Sequence, residues 1–266
     1  MTDTPIDTSV AHTARVWNYW LGGKDNYPVD REVGDQVREL LPQVVEVALG
    51  DRLFLRRAVT HMAEEGIRQF LDIGTGLPTA DNTHEVAQAR APEARVVYVD
   101  NDPLVLAHAH ALLTGTEAGR TTFVGSDLRD TASVLEAAAE TLDLSQPVGL
   151  TLLGTMGHFE DIEEALGLVR TYMAALAPGS FLAVCDGVFA HLERVTGARA
   201  LEAMERWQEG VAQAYHLRSV EDFTRFFDGF ELVEPGVVSV LRWRPEPTEV
   251  GEIRDLPQYC SLARKV

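Results

Sequence analysis

Lysine is nearly missing: Lys24 and Lys265 are the only two in 266 residues, and arginine supplies the rest of the 23 basic side chains. That scarcity reads as genomic base composition rather than chemistry, but it singles out Lys24, which lies in a glycine-rich stretch. Positive charge is short as well, with 41 acidic residues against those 23, a net charge of −18 and a pI near 4.8. A field of that sign repels phosphate backbones and anionic membrane surfaces, so nucleic acid and membrane are excluded as expected partners. Two cysteines, Cys185 and Cys260, are too few for a zinc knuckle or a disulfide framework and point to a reducing cytoplasm. No apolar run approaches the roughly 18 residues of a membrane helix. The opening MTDTPIDTSVAHT is polar and acidic, unlike a signal peptide.

Several chemistries lack their residues. There is no Walker lysine loop and no Gly-x-Ser-x-Gly elbow. His84-Glu85 has no second histidine where a zinc-protease helix needs one, and His108 and His110 point to different helix faces. No metal site is expected. What is present is 45% hydrophobic and 24% charged residues, enough for a globular core.

From Arg68 onward, short apolar runs alternate with amphipathic stretches. Strands are expected at Gln69–Ile73, Arg95–Asp100, Thr121–Val124, Val148–Leu153 and Ser180–Cys185. Helical patterns fall between them at Asn82–Ala91, Pro103–Thr114, Thr131–Leu142 and Asp161–Ala177. Such alternation predicts βαβ units around a parallel sheet, an α/β fold. Two further helices follow, at Leu192–His216 and, opened by Ser219, at Val220–Phe227. Phe230–Val233 and Val237–Trp243 then flank Pro235-Gly236, which predicts a hairpin of two antiparallel strands. The tail after Arg244 reads as irregular. Upstream, Asp30–Leu49 and Asp51–Glu65 read as helices each entered from a capping aspartate. The expected division is residues 1–66 as a helical extension and cofactor lid, 67–246 as the α/β domain and 247–266 as the tail.

Three strand ends carry the chemistry. Phe70-Leu-Asp-Ile-Gly-Thr-Gly76 runs a strand into Gly-x-Gly, where a ligand can approach bare backbone, although a plain turn would use the same glycines. Asp72 there suits a cation or a hydroxyl better than a phosphate. Asp100 ends the second strand, where nucleotide-binding α/β folds hold ribose hydroxyls. Asp102 before Pro103 serves as the helix cap and leaves Asp100 free for that role. Asp127 and Leu128 follow the third strand, where a carboxylate can accept from an exocyclic amine and a leucine can flank a base; capping or a turn is the alternative. His158, after Gly154-Thr-Met-Gly157, is a candidate base or a packing residue.

The ordered strand ends and terminal hairpin resemble the class I S-adenosylmethionine-dependent methyltransferases. A narrower resemblance rests on Arg15-Val-Trp-Asn-Tyr-Trp-Leu-Gly-Gly-Lys-Asp-Asn-Tyr27, Asp72–Thr79, Asn82–Ala87, Pro235-Gly-Val-Val and Trp243-Arg-Pro245. These are similar to motifs of an actinobacterial S-adenosyl methyltransferase family, formerly a domain of unknown function. Trp17, Asn18 and Trp20 depart from that family's tyrosine, aspartate and leucine. The resemblance implies a Rossmann-like fold with a mostly parallel seven-stranded sheet, one antiparallel strand and an N-terminal helical extension. It implies S-adenosyl-L-methionine as cofactor, held by Asp72, Gly74, Thr75 and Gly76, by Asp100 and Asn101, and by Asp127 and Leu128. The extension is expected to add Tyr19, Gly22, Gly23 and Lys24, with the Gly-Gly pair as a hinge that closes over the ligand. The expected reaction is methyl transfer to a small molecule. The alternatives are a protein that binds the cofactor without turnover and a nicotinamide oxidoreductase, the latter opposed by the missing third glycine.

Overall fold

The computed structural model describes residues 7–78, 81–112, 115–190, 198–211, 213–246 and 253–266. Three helices come first: α1 (Thr13–Trp20), α2 (Pro28–Leu40) and α3 (Val44–Glu64). Strands and helices then alternate: β1 (Gln69–Ile73), α4 (Thr83–Arg90), β2 (Arg95–Asp100), α5 (Pro103–Leu112), β3 (Arg120–Gly125), α6 (Thr131–Ala139), β4 (Gly149–Leu153), α7 (Ile162–Ala175) and β5 (Phe181–Gly187). The chain closes with α8 (Ala198–Gly210), α9 (Val220–Thr224), β6 (Glu231–Leu232), β7 (Val238–Ser239) and β8 (Gln258–Arg264).

The sheet runs β3-β2-β1-β4-β5-β8-β6, with β7 also on β8. Strands β1 to β5 are mutually parallel, and β8 alone runs against its neighbours. This is the Rossmann-like, mostly parallel architecture expected from the alternation. Side chains sort by the two-residue period of a strand. Leu71, Ile73, Val97, Val99, Leu150, Leu152, Leu182 and Val184 pack on one face with α6 and α7. Phe70, Val96, Tyr98, Phe181, Ala183 and Cys185 pack on the other with α3 and α4. A third cluster, centred on Trp20, Val33, Val37 and Trp207, binds α1, α2 and α8 together.

Four sequence expectations are corrected. The predicted hairpin does not form. Both β6 and β7 pair with β8, Leu232 opposite Ala263 and Val238 opposite Cys260, so they are two pieces of one interrupted edge strand running in the same direction. Pro235 and Gly236 (φ +81°) loop out between the pieces instead of reversing the chain. Second, the tail is not irregular throughout, because Gln258–Arg264 is the buried antiparallel strand. Third, the helices of the extension divide at Pro42, which cannot donate within a helix, and not at Gly50-Asp51. Gly50 lies inside α3 as a close-packing position and does not break it: a Cβ there would lie 2.7 Å from Val240 Cγ1, and the bare backbone lets α3 lie on that residue. Asp51 is therefore inside α3 and caps nothing. Fourth, the helix read at Leu192–His216 ends at Gly210, and residues 191–197 lie outside the described ones.

Candidate active site

At β1 the sheet order reverses, since β2 lies on one side and β4 on the other. Crevices at such points take the ligands of open α/β sheets. Here the carboxyl ends of β1 to β4 open on a cavity of about 370 Å³, within the range of small-ligand sites. Its floor is Asp72–Leu77, Asp100-Asn101, Ser126–Arg129 and Leu153–Thr155. Its roof comes from α1 (Thr13, Ala14, Trp17, Asn18) and α3 (Ala48, Asp51, Arg52, Leu55). Gln213 and Ala214 close one side.

Asp72 is buried across the reversal point. Its carboxylate accepts from Thr83 Oγ1 at 2.6 Å and from Thr151 Oγ1 at 2.8 Å, tying β1 to α4 and β4. Burial pushes its pKa up, and the two hydroxyls and Arg52 oppose that rise. A cation or a hydroxyl of a ligand was expected at this carboxylate; the hydroxyls that it meets in the structure are the protein's own.

The loop after β1 is shaped by glycine. Gly74 has φ +74°, its N–H donates to Val99 O at 2.8 Å, and a Cβ on it would lie 1.9 Å from Thr155 Cγ2. Gly76 (φ +66°) and Gly154 (φ +68°) differ, for a Cβ on either would enter open space beside the cavity. Thr75 Oγ1 turns back to Asp72 O at 3.1 Å.

Asp100 reads the loop directly. One carboxylate oxygen accepts the Gly76 N–H and the other the Asp102 N–H, both at 2.9 Å. Burial pushes its pKa up while those N–H groups draw it down. A carboxylate has about four acceptor positions, so two remain on the cavity wall. Asp102 caps α5 through Leu104 N–H, as expected, and meets His12 Nδ1 at 3.0 Å. Asp127 accepts the Arg129 N–H at 2.8 Å beside Leu128, and the Arg129 guanidinium stacks over Phe159 at 4.3 Å.

The expected residues divide at this point. Asp72, Gly74, Thr75, Gly76, Asp100, Asn101, Asp127 and Leu128 line the cavity, and so does His158. Tyr19, Gly22, Gly23 and Lys24 do not line it. Tyr19 donates instead to Asp35 at 2.7 Å on the far side of α1, and Lys24 is exposed. Gly22 (φ +78°) ends α1 in the left-handed conformation that favours glycine there. Gly23 is bare because a Cβ would lie within 2.5 Å of the Asn18 amide, which accepts from Asp25 N–H and Asn26 Nδ2, each at 3.0 Å. The pair packs and terminates a helix where a hinge over the ligand was expected.

Of the residues lining the roof, the reading of the sequence missed those of α3, Asp51 and Arg52 among them. Asp51 reaches the cavity from mid-helix, accepting Cys185 Sγ–H at 3.0 Å and Gln258 Nε2–H at 3.0 Å. Burial, with the nearby Asp186 charge adding to it, pushes its pKa up to about 7 against the pull of those two donors. Asp186, at the end of β5, accepts from Met156 N–H, Gly157 N–H and Tyr215 O–H, and burial raises it to about 6. Acidic residues spaced in an amphipathic helix give no local signal of this. Only the spacing of Asp51, Phe54, Leu55 and Ala58 on one face marked the side that would be buried.

Among the described residues no cluster of histidine, cysteine and carboxylate could hold a metal ion, and no helix is long and apolar enough to cross a membrane. Across residues 1–266 the chain matches the family model of the S-adenosyl methyltransferases. It is similar to a DUF574 family protein from Streptomyces avermitilis, at 42% identity and TM-score 0.92, over 98% of this chain and 100% of that one. It is also similar to an inferred methyltransferase from Thermobifida fusca, at 37% identity and TM-score 0.85, over 97% and 96% of the two chains. A plantazolicin methyltransferase solved with S-adenosylhomocysteine shares the fold at 11% identity and TM-score 0.52, over 95% and 96%. No curated protein matches the chain. With a Rossmann-like cavity at the strand ends and a family match along its whole length, the chain belongs to the S-adenosyl methyltransferase family, whose cofactor is S-adenosylmethionine.

Proposed function

We propose that the cavity at the ends of β1 to β4 holds the cofactor and that the methyl acceptor is a small molecule that fits beneath α1 and α3. The observation that carries this reading is Asp100, anchored through Gly76 and Asp102 yet with acceptor positions left on the wall. The rest of the wall fits the same ligand. Open space over Gly76 and Gly154 leaves room for a chain to cross bare backbone, and Thr155 Oγ1 is buried there without a partner.

In this reading Asp100 and Asn101 take the ribose hydroxyls, Asp127 and Leu128 the adenine, and the Gly74–Gly76 loop the methionine portion. Asp72 acts through the strands that it ties together. Tyr19, Gly22 and Gly23 act by fixing α1, and the exposed Lys24 stays outside the contact set with them. The bound cofactor supplies a methyl group already activated on a sulfonium. The protein's part is then to position the acceptor in line with it and to exclude water, tasks that fall to the α1 and α3 roof. The net charge of −18 disfavours a phosphate-backbone acceptor.

Titration calorimetry with S-adenosylhomocysteine and NAD tests the reading, after denaturing mass spectrometry has shown whether cofactor co-purifies. The expected result is binding of the sulfur ligand alone. In D100A the lost hydrogen bonds to a charged group, worth about 1.5–3 kcal/mol, predict a Kd raised about 10- to 150-fold. Binding of NAD alone, or an unchanged Kd in D100A, would overturn it.

A further inference from the structure

His158 sits in the turn Met156–His158 directly after β4, on the cavity wall beside Gly154 and Thr155. Its Nδ1 lies 2.8 Å from the Ala214 carbonyl oxygen. A carbonyl only accepts, so Nδ1 carries the proton, and the neutral ring keeps an unprotonated lone pair on Nε2. The ring is fixed on both sides. It packs edge-to-face on Tyr215, centroids 5.3 Å apart, and Tyr215 O–H is held by Asp186 at 2.6 Å. The same Asp186 takes the N–H groups of Met156 and Gly157, so one carboxylate anchors both the turn and the ring's neighbour. Gly157 has to be glycine, because a Cβ would lie 2.4 Å from the Tyr215 ring.

We infer that His158 Nε2 is the proton acceptor of the transfer, and hence that the methylated atom of the acceptor bears an ionisable O–H, N–H or S–H. This rests on the cofactor reading above. As the new bond from the acceptor atom to the methyl carbon forms, the methyl–sulfur bond breaks and its electron pair stays on sulfur as a neutral thioether. The acceptor's proton passes to Nε2, and the imidazolium later releases it to solvent. The groups around the ring keep it neutral beforehand. Burial lowers its pKa, Ala214 opposes that through its hydrogen bond, and His12 before α1, Arg129 after β3 and His216 after α8 lower it further. Tyr215 meets the ring edge-to-face, and Asp186 lies behind it, accepting the Tyr215 O–H. Tertiary amines and thioethers, which have no proton to give, would leave Nε2 idle.

Ring-15N histidine labelling of the full chain reads the tautomer without any acceptor, with H158N identifying the His158 signals among the eight histidines. The expected result is a protonated Nδ1 and a bare Nε2 at pH 7, with titration below the ordinary histidine range. In parallel, wild type and H158N are compared on a panel of phenols, thiols, primary amines and tertiary amines. Asparagine can still donate to Ala214 but offers no base. Turnover of the proton-bearing compounds is expected to fall by about 10²- to 10⁴-fold, while the Kd for S-adenosylhomocysteine is unchanged. An Nε2–H tautomer, a charged ring at pH 7, or equal turnover by H158N overturns the inference. Absence of S-adenosylhomocysteine binding to wild type would instead overturn the cofactor reading beneath it.

Discussion

The cavity has two walls of opposite construction. The floor is four strand ends whose ligand-facing groups lie within a few residues of the strand that presents them: Asp72 to Gly76, Asp100, Asp127. The roof is assembled from α1, α3 and the segment after α8, elements brought together by the Trp20, Val33 and Trp207 cluster. The floor's carboxylates are each partnered by backbone N–H groups or hydroxyls, which hold them as acceptors. Asp51 in the roof accepts from a thiol and a side-chain amide, and burial raises its pKa to about 7; burial raises Asp72 and Asp100 in the floor as well, against the pull of their donors. A local wall of strand ends brings backbone donors with it, whereas a helix interior has spent its own donors within the helix.

The largest expected effect falls on the floor. In G74A the new Cβ adds left-handed strain to a 1.9 Å collision with Thr155. Those costs, about 1–3 kcal/mol each, sum to roughly 2–6 kcal/mol. Thermal unfolding at about 2–4 °C per kcal/mol would show it. G76A, where the Cβ enters open space, is the control and should lose only the strain. Equal losses would mean that the collision is not what fixes Gly74.

A smaller effect distinguishes the roof. With Asp51 near 7 when folded and 3.8 as its ordinary value, the folded chain holds the extra proton between about pH 4 and 7. The stability that this carboxyl contributes is therefore present at low pH and lost as pH rises through 7. D51N cannot ionise, so its melting temperature relative to wild type should climb from pH 5 to pH 8. The asparagine amide can face Cys185 while its carbonyl still accepts from Gln258. A flat difference across that range would place the ordinary carboxylate pKa at this site and erase the contrast between the walls.

The smallest effect lies outside both walls. Y19F loses the half-buried hydrogen bond to Asp35, worth about 0.5–1.5 kcal/mol. It should leave the Kd for S-adenosylhomocysteine unchanged by calorimetry. A tenfold weaker Kd would bring Tyr19 back to the ligand.

How much was legible follows from the same division. The parallel strands appear within a residue or two of their expected bounds, because period-two burial and flanking glycines are local signals. The edge was misread because Pro-Gly between apolar runs signals a turn whether the chain reverses or merely loops out. What decides is the partner, and β8 supplies it from 20 to 33 residues away. The Gly22-Gly23 pair carries the same ambiguity: a helix end and a close approach to the Asn18 amide require these glycines whether or not a ligand lies near them.

By itself the sequence determined the α/β alternation, the acidic and glycine-rich strand ends and, through long ordered motifs, the family, because each of these is written in neighbouring residues. The tertiary structure alone decided which of them face the cavity, that Asp51 and Asp186 are buried with raised pKa values, and that the Ala214 carbonyl lies against His158 Nδ1. Burial and hydrogen-bond partners belong to the packed chain, since they join segments that no local spacing relates.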